Sequence, residues 1–509
     1  MEVAKADKLG DIFSPIYSLA ASGSPEFRML IDGKWTSLEQ RIEVRSPIDN
    51  GLVATIPNAS EREADQAVES SHTHRNAIRT VPAVEKIEIF LRTRELLLRN
   101  EDSFVHILSL EAGKTLSNAK GEVRSTAERL KLTPEDYSKI RGEHIPGDWS
   151  DETVGTSADV LREPLGVVLA ISPFNYPLYI TSTKVIPALL AGNSVVVKPA
   201  SQDPLSFLMF ARLLEEAGLP AGTLNVVTGR GPIGEYLAGQ EKVDMITFTG
   251  STEVGKRLAR VAGIKKLHME LGGKGCAIVL GDADLDLAVK EIAKGSLSYS
   301  GQRCDAVSRV LVEQSIVETF VEKIVEEAGT YKVGDPRDLT VKVGPLINRG
   351  AVERVHGLVT DAIDKGAKAL VGAKFEDNYY YPTVLYPVPT NANIMWEETF
   401  GPVIPIMSVK NVDEAIDLTN RSKYGLDSCV FTFNLNLARK VAKRLEEGEI
   451  TINAAPRHGV GYYPFGGNKD SGLGREGIGY SIEEMTRLKT IVYNWKPARV
   501  WSDLVELGK

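Results

Sequence analysis

Cysteine is scarce, with three in 509 residues. That excludes a disulfide-stapled scaffold and points to a reduced, cytosolic protein. Positive charge is not in excess either: Lys+Arg is 60, Asp+Glu is 68, and the formal net charge is −8. A nucleic-acid binder would carry a basic stripe, so that class is set aside. A small phosphorylated ligand is not, because a few well-placed arginines suffice to hold it. No run of about 18 apolar residues occurs, so no membrane span is expected. No apolar stretch follows a basic N-terminal start, so no secretory signal is expected. The G-x-G-x-x-G dinucleotide fingerprint is absent after the strand that would carry it, and no repeat is apparent. What remains is ordinary globular composition, 43% hydrophobic and 25% charged, with 45 glycines, many of them in short loops after apolar runs. At about 150 residues per domain the length predicts about three domains or lobes.

The chain opens with a poorly periodic stretch, Met1 to Phe27, read as an extension with one short helix. Met29 to Trp35 reads as a hairpin with an Asp-Gly turn. Helical patterns follow from Glu61 to Arg99 and from Glu122 to Ile140. Short apolar runs then alternate with helical segments. Strands are predicted at Leu165–Ile171, Ser194–Lys198, Thr223–Val227 and Asp244–Phe248, with helices at Thr181–Leu190 and Pro204–Ala217. That alternation predicts a parallel sheet with helices on both faces, whose ligands sit at the strands' C-terminal ends. A second α/β lobe is predicted from Leu271 to about Ile450, with strands at Ala277–Leu280, Arg309–Val312 and Cys429–Phe431. The tail after Tyr493 carries Trp495 and Trp501, suited to docking on another subunit or to an ordinary surface.

Four places could carry chemistry. Cys304 lies in the polar, glycine-led stretch Gly301-Gln302-Arg303-Cys304-Asp305, where the adjoining arginine would favour the nucleophilic thiolate. Cys276 and Cys429 adjoin apolar runs and read as core. Glu270 closes an apolar segment before Gly272-Gly273, where a carboxylate beside a dry pocket could serve as a general base with a raised pKa. Asn175 stands between Pro173 and Pro177, just after the first buried strand, and a fixed amide there would suit an oxyanion. Phe248-Thr249-Gly250-Ser251-Thr252 follows a strand and opens a helix, whose N–H groups suit a phosphate. Each alone also has a bland reading: a buried thiol, an exposed strand end, a turn Asn, an ordinary helix cap.

Together with Glu397-Glu398-Thr399-Phe400-Gly401-Pro402 and Pro464-Phe465-Gly466-Gly467-Asn468-Lys469, these stretches resemble the aldehyde dehydrogenase superfamily, from about Met29 to the C-terminus. The resemblance implies an α/β fold: a Rossmann-type cofactor domain at 1–139 and 163–269, an α/β catalytic domain at 270–480, and a small β oligomerisation arm at 140–162 and 481–509. It implies that Cys304 attacks an aldehyde and Asn175 holds the oxyanion. Hydride then leaves to a nicotinamide, and Glu270 activates the water that hydrolyses the thioester. Cofactor contacts carried over are Lys198 at the adenosine ribose, Gly250 and Ser251 at the pyrophosphate, Glu398 at the nicotinamide ribose, Phe400 beside the ring, and Gly231 at the adenine end. No metal is implied.

Within the superfamily, Arg124, Tyr176, Arg303 and Arg457 resemble the anion pocket of the non-phosphorylating glyceraldehyde-3-phosphate dehydrogenases. Guanidinium forks suit a phosphate. The substrate expected is therefore a small phosphorylated aldehyde, D-glyceraldehyde 3-phosphate, oxidised without inorganic phosphate. The alternatives are glyceraldehyde, a carboxylate-bearing semialdehyde such as succinate semialdehyde, or a catalytically dead relative. Acyl transfer to coenzyme A is disfavoured because Glu270 is present. The Ser-Cys-Thr-Thr-Asn motif of the phosphorylating enzyme is absent. Ser201 stands where NAD-preferring relatives commonly carry Glu, so NADP is expected to be preferred and NAD tolerated. A cytoplasmic homotetramer is the expected form, with neither nucleic acid nor membrane as partner.

Overall fold

The computed structural model describes residues 9–495. One sheet runs, edge to edge, through Gly472–Leu473, Lys266–Glu270, Met245–Thr249, Val167–Ile171, Ser194–Lys198, Leu224–Val226, Met29–Ile31 and Lys34–Thr36. The five consecutive strands from Lys266–Glu270 to Leu224–Val226 are parallel. Every residue of Val167–Ile171, Ser194–Lys198 and Met245–Thr249 is buried, as expected for strands covered on both faces. Strand order reverses between Val167–Ile171 and Met245–Thr249, the position where α/β sheets open a crevice beyond their C-terminal ends. The Asn175 loop follows the first of these strands and the Gly250–Ser251 turn follows the second.

A second sheet of seven strands contains Gly275–Val279, Val307–Glu313, Val403–Val409 and Asp427–Phe431, with the helix Leu285–Leu297 leading to Cys304. A third, of three antiparallel strands, is formed by Glu143–Pro146, Thr156–Pro164 and Thr486–Asn494. The layers match the predicted fold class. Gly472–Leu473, from the distal part of the chain, nevertheless pairs with Lys266–Glu270 and closes the first sheet beside Glu270.

Several local expectations need correction. The stretch at 61–99 is two helices, Glu61–Arg79 and Ala83–Arg99, because Pro82 cannot continue the first. A further helix, Glu101–Ala112, precedes Leu116–Lys131. The N-terminal extension holds the 3-10 turn Asp11–Ile16 and two three-residue strands that join a four-stranded sheet. Strands that short carry no readable alternation. Trp495 donates to the Ser157 hydroxyl and stacks on Tyr493, so it packs on its own sheet. Trp501 lies outside the described residues. Among the described residues, no helix is long and apolar enough to cross a membrane.

Candidate active site

The segment before Cys304 is strained and tied down. Tyr299, Ser300 and Gly301 have φ of 50°, 55° and 70°, three consecutive left-handed residues. Such conformations cost on the order of 1–3 kcal/mol at a non-glycine residue and persist only when their surroundings fix them. Here the Tyr299 hydroxyl donates to the Ala112 carbonyl (3.1 Å) and the Ser300 hydroxyl to that of Gly344 (2.8 Å). The Gln302 amide donates to the Pro345 carbonyl and accepts from the Ile347 N–H. Gly301 must be glycine, since a Cβ would stand 2.3 Å from the Gly401 carbonyl oxygen.

Asn175 is locked onto this loop: its Nδ2 donates to the Gln302 carbonyl at 3.1 Å. Asn175 and Cys304 line the same cleft. The loop's far end is fixed by Glu122, whose Oε1 accepts from the N–H groups of Leu178 and Tyr179, both at 3.0 Å. Its Oε2 pairs with Lys114 Nζ at 2.7 Å, both side chains fully buried. Lys114 Nζ in turn sits 3.7 Å over the Tyr176 ring and 4.1 Å over that of Tyr299, coupling the two loops. Neither Glu122 nor Lys114 was read from the sequence as part of the site.

Glu270 ends its strand and is buried, with both carboxylate oxygens lacking an aligned hydrogen-bond donor. Burial pushes its carboxyl up, and His268 partly offsets this. Cys304 keeps some surface on the cleft although protein surrounds it closely. Burial raises its thiol well above the ordinary range, and the carboxylates of Asp305, Asp427, Glu270 and Glu398 add to the rise. The expectation that Arg303 supplies a thiolate is therefore corrected. The Arg303 Nε pairs with Asp305 at 3.1 Å, which spends the charge locally. Cys276 and Cys429 are buried in the core, as expected.

A cleft of about 870 Å³ opens on Cys304, lined by Phe174, Asn175, Gly250, Ser251, Glu398 and Phe400 among others. Phe400 meets Phe174 edge-on at 5.7 Å. Glu398 Oε1 accepts from the Gly273 N–H at 3.2 Å. Gly250 and Ser251 lead into the helix Thr252–Val261, with the Ser251 side chain as its cap. A Cβ on Gly250 would stand 2.5 Å from the Phe248 ring. The buried hydroxyls of Ser172 and Thr249 have no protein partner. Lys198 is buried against the helix Gly231–Gly239, and burial lowers its ammonium to about 8. Ser201 lines an adjoining cavity of about 580 Å³ with Arg230, and Gln202 lines both. Gly231 has nothing within 4 Å of its Cβ position. Unpaired hydroxyls, a helix N-terminus and an under-compensated buried cation fit a dinucleotide's sugars and phosphates.

The four residues expected to form an anion pocket are not brought together. Tyr176 and Arg303 lie near Cys304, Arg303 as its neighbour in the chain. Arg124 lies two positions beyond Glu122, on the opposite side of the helix; it is 62% exposed and bonded to Glu101 at 2.9 Å. Arg457 is likewise turned out, 58% exposed and paired with Glu291 at 3.0 Å. In extended chain, neighbours face opposite ways, so its neighbour His458 turns in. His458 contacts Glu476 at 3.2 Å and packs on Phe465 at 4.3 Å. Burial disfavours its charge, but Glu476 overcomes this and lifts it to about 9, with Asp305 and Glu270 adding to the field. A single exposed-looking histidine beside an arginine gave no sequence signal for this exchange.

The chain matches the aldehyde dehydrogenase family over residues 35–491. It is 41% identical over 471 residues to the NADP-dependent glyceraldehyde-3-phosphate dehydrogenase of Streptococcus equinus, covering 92% of this chain and 99% of the relative. It is 37% identical over 471 residues to the 3-sulfolactaldehyde dehydrogenase of Priestia aryabhattai, covering 92% and 98%. The crystal structure of the Bacillus halodurans C-125 NADP-dependent glyceraldehyde-3-phosphate dehydrogenase with NADP superposes with a TM-score of 0.90 at 39% identity, covering 92% of this chain and 99% of that one. With matches spanning nearly its whole length, this protein belongs to the aldehyde dehydrogenase family and is an oxidoreductase acting on an aldehyde.

Proposed function

We propose that the protein oxidises D-glyceraldehyde 3-phosphate to 3-phosphoglycerate without inorganic phosphate, using NADP in preference to NAD. The observation that carries the substrate reading is Arg303, a cation directly before Cys304 whose guanidinium meets Asp305 at 3.1 Å; His458, on a separate segment and paired with Glu476, adds a second cation within the field of Asp305. The 41% identical Streptococcus enzyme supports the same reading. A sulfonate on the third carbon would meet the same cations, so 3-sulfolactaldehyde is the second reading, favoured by the Priestia relative. NADP would be held by Lys198, Ser201, Gly250, Ser251 and Glu398, and by Gly231 at the adenine end. Ser201 offers no carboxylate to repel a 2′-phosphate.

The Cys304 thiol gives up its proton to solvent in the cleft as its sulfur adds to the aldehyde carbon, and the Asn175 amide and the Cys304 N–H take the oxyanion. NADP, when held by these residues, would accept the hydride that leaves the carbon as the oxyanion collapses. Collapse of the oxyanion leaves a thioester on Cys304. Glu270 then takes a proton from water as the hydroxyl adds to the thioester carbon, and the thiolate leaves. The three-stranded sheet exposes Ile145, Leu488 and Val492 on one face, a surface suited to joining subunits. A substrate panel in phosphate-free buffer with both cofactors tests the assignment. Highest kcat/KM for D-glyceraldehyde 3-phosphate with NADP is expected; a better rate with free glyceraldehyde or succinate semialdehyde would refute the phosphate reading.

A further inference from the structure

His268 stands two residues before Glu270 on the same strand, so the two side chains share one face. His268 is 3% exposed, and its Nε2 lies 3.3 Å from Glu270 Oε1. Its Nδ1 lies 2.5 Å from Oε2 of Glu484, on the short helix Tyr480–Glu484. A neutral imidazole has one N–H and one lone pair, so it cannot donate to two carboxylates at once. Carboxylates at both ring nitrogens favour the imidazolium, the one form that presents an N–H to each. Glu484 is itself fixed by the Arg475 N–H on Oε1 at 3.0 Å. Glycine backbone closes the top of the array. A Cβ at Gly474 would lie 2.8 Å from His268 Nδ1, and one at Gly466 would lie 3.0 Å from Glu270 Oε1.

Building on the assignment of Glu270 as the base, we infer that His268, held charged by Glu484, is the positioning residue that keeps Glu270 ionised and aimed for thioester hydrolysis. A buried carboxylate otherwise takes up a proton and ceases to be a base. The other groups facing Glu270 do not replace this cation. Lys184, from helix Tyr179–Leu190, sits at 3.5 Å from Glu476 and is matched to it. Glu476 repels Glu270, His458 is engaged by Glu476, and Cys304 is uncharged at rest. Around His268 the remaining charges include Lys184, which opposes its protonation, Glu476, which favours it, and Lys266, which acts on Glu484. Two carboxylates against one imidazole outweigh burial and lift His268 to about 9. The 3.3 Å contact is an ion pair without good hydrogen-bond alignment, which leaves the Glu270 lone pairs available to water.

The test is the pH dependence of acyl-enzyme breakdown, measured after the burst of reduced cofactor in wild type, His268→Gln, Glu484→Gln and Glu270→Gln. Without the cation, Glu270 ionises at higher pH. Both His268→Gln and Glu484→Gln should keep the burst and move the rising limb by about one pH unit or more to the alkaline side. Breakdown at neutral pH then slows about tenfold, recovering at high pH. In the cofactor-free protein, 15N-histidine NMR should show a ring protonated beyond pH 8 that titrates lower in Glu484→Gln. A limb unmoved in both variants, a uniform slowing at every pH, or a His268 ring neutral at pH 7 would overturn the inference. If Glu270→Gln breaks down its acyl-enzyme as fast as wild type, the base assignment itself has failed.

Discussion

At Arg303 and Arg457 the same residue type faces opposite fates. Arg303 is held inside by Asp305, while Arg457 is exposed and paired with Glu291. Charge-assisted bonds to a phosphate are worth on the order of 1.5–3 kcal/mol, whereas an exposed ion pair contributes about 0–1 kcal/mol. Arg303→Ala should therefore lower kcat/KM for D-glyceraldehyde 3-phosphate by about 10- to 100-fold. Free glyceraldehyde should be far less affected. Arg457→Ala should change neither, as steady-state kinetics on both substrates will register. Ser201→Glu would place a carboxylate beside the ribose site and should cut kcat/KM for NADP much more than for NAD. An unchanged cofactor ratio would remove Ser201 from the explanation.

Among the elements, the loop from Ser172 to Leu178 depends on a residue far away in sequence. Glu122 receives two N–H groups at the start of helix Tyr179–Leu190 and neutralises Lys114 beneath Tyr176. Removing one partner of a buried pair strands the other charge, at about 3–5 kcal/mol. Glu122→Ala should thus lower unfolding stability by about that amount, read by denaturant titration. Hydride transfer should weaken too, as the Asn175 loop loses its anchor. The strands Val167–Ile171, Ser194–Lys198, Leu224–Val226 and Met245–Thr249 were legible as short, mainly apolar runs, Ser194–Lys198 at its actual bounds, whereas Lys266–Glu270, carrying Lys266, His268 and Glu270, was not read as a strand. The catalytic stretches were legible because their residues are contiguous in sequence. Glu122 was not, since only tertiary contact brings it 56 residues along the chain to Leu178. His268 was hidden differently: strand alternation alone puts it on the face of Glu270, but nothing local reveals the distant Glu484.

Across the whole molecule, the two buried imidazoliums tie stability to pH. His268 and His458 each titrate at about 9 when folded, above their ordinary value near 6.5. A group raised on folding contributes fully below its unfolded pKa and loses that contribution as pH climbs through the folded one. The histidines' share of the stability should accordingly be lost between pH 7 and about pH 10, while Lys198, lowered to about 8 by burial, acts in the opposite sense, so the wild type is compared with His268→Gln. The loss should be smaller in His268→Gln, which no longer has that proton to lose. Equal pH slopes in the variant and wild type, by calorimetry, would contradict this. At the same scale, the switch in strand order places the Asn175 and Gly250 loops around one crevice, and the second sheet delivers Cys304 to its floor.

The central step proposed is a thioester on Cys304 that awaits water activated by Glu270. Intact-protein and peptide mass spectrometry of Glu270→Gln, quenched after mixing with NADP and D-glyceraldehyde 3-phosphate, reads it directly. One phosphoglyceryl adduct per chain should accumulate on the Cys304 peptide and be absent from Cys304→Ala. No adduct, or an adduct on Cys276 or Cys429 instead, would contradict the mechanism.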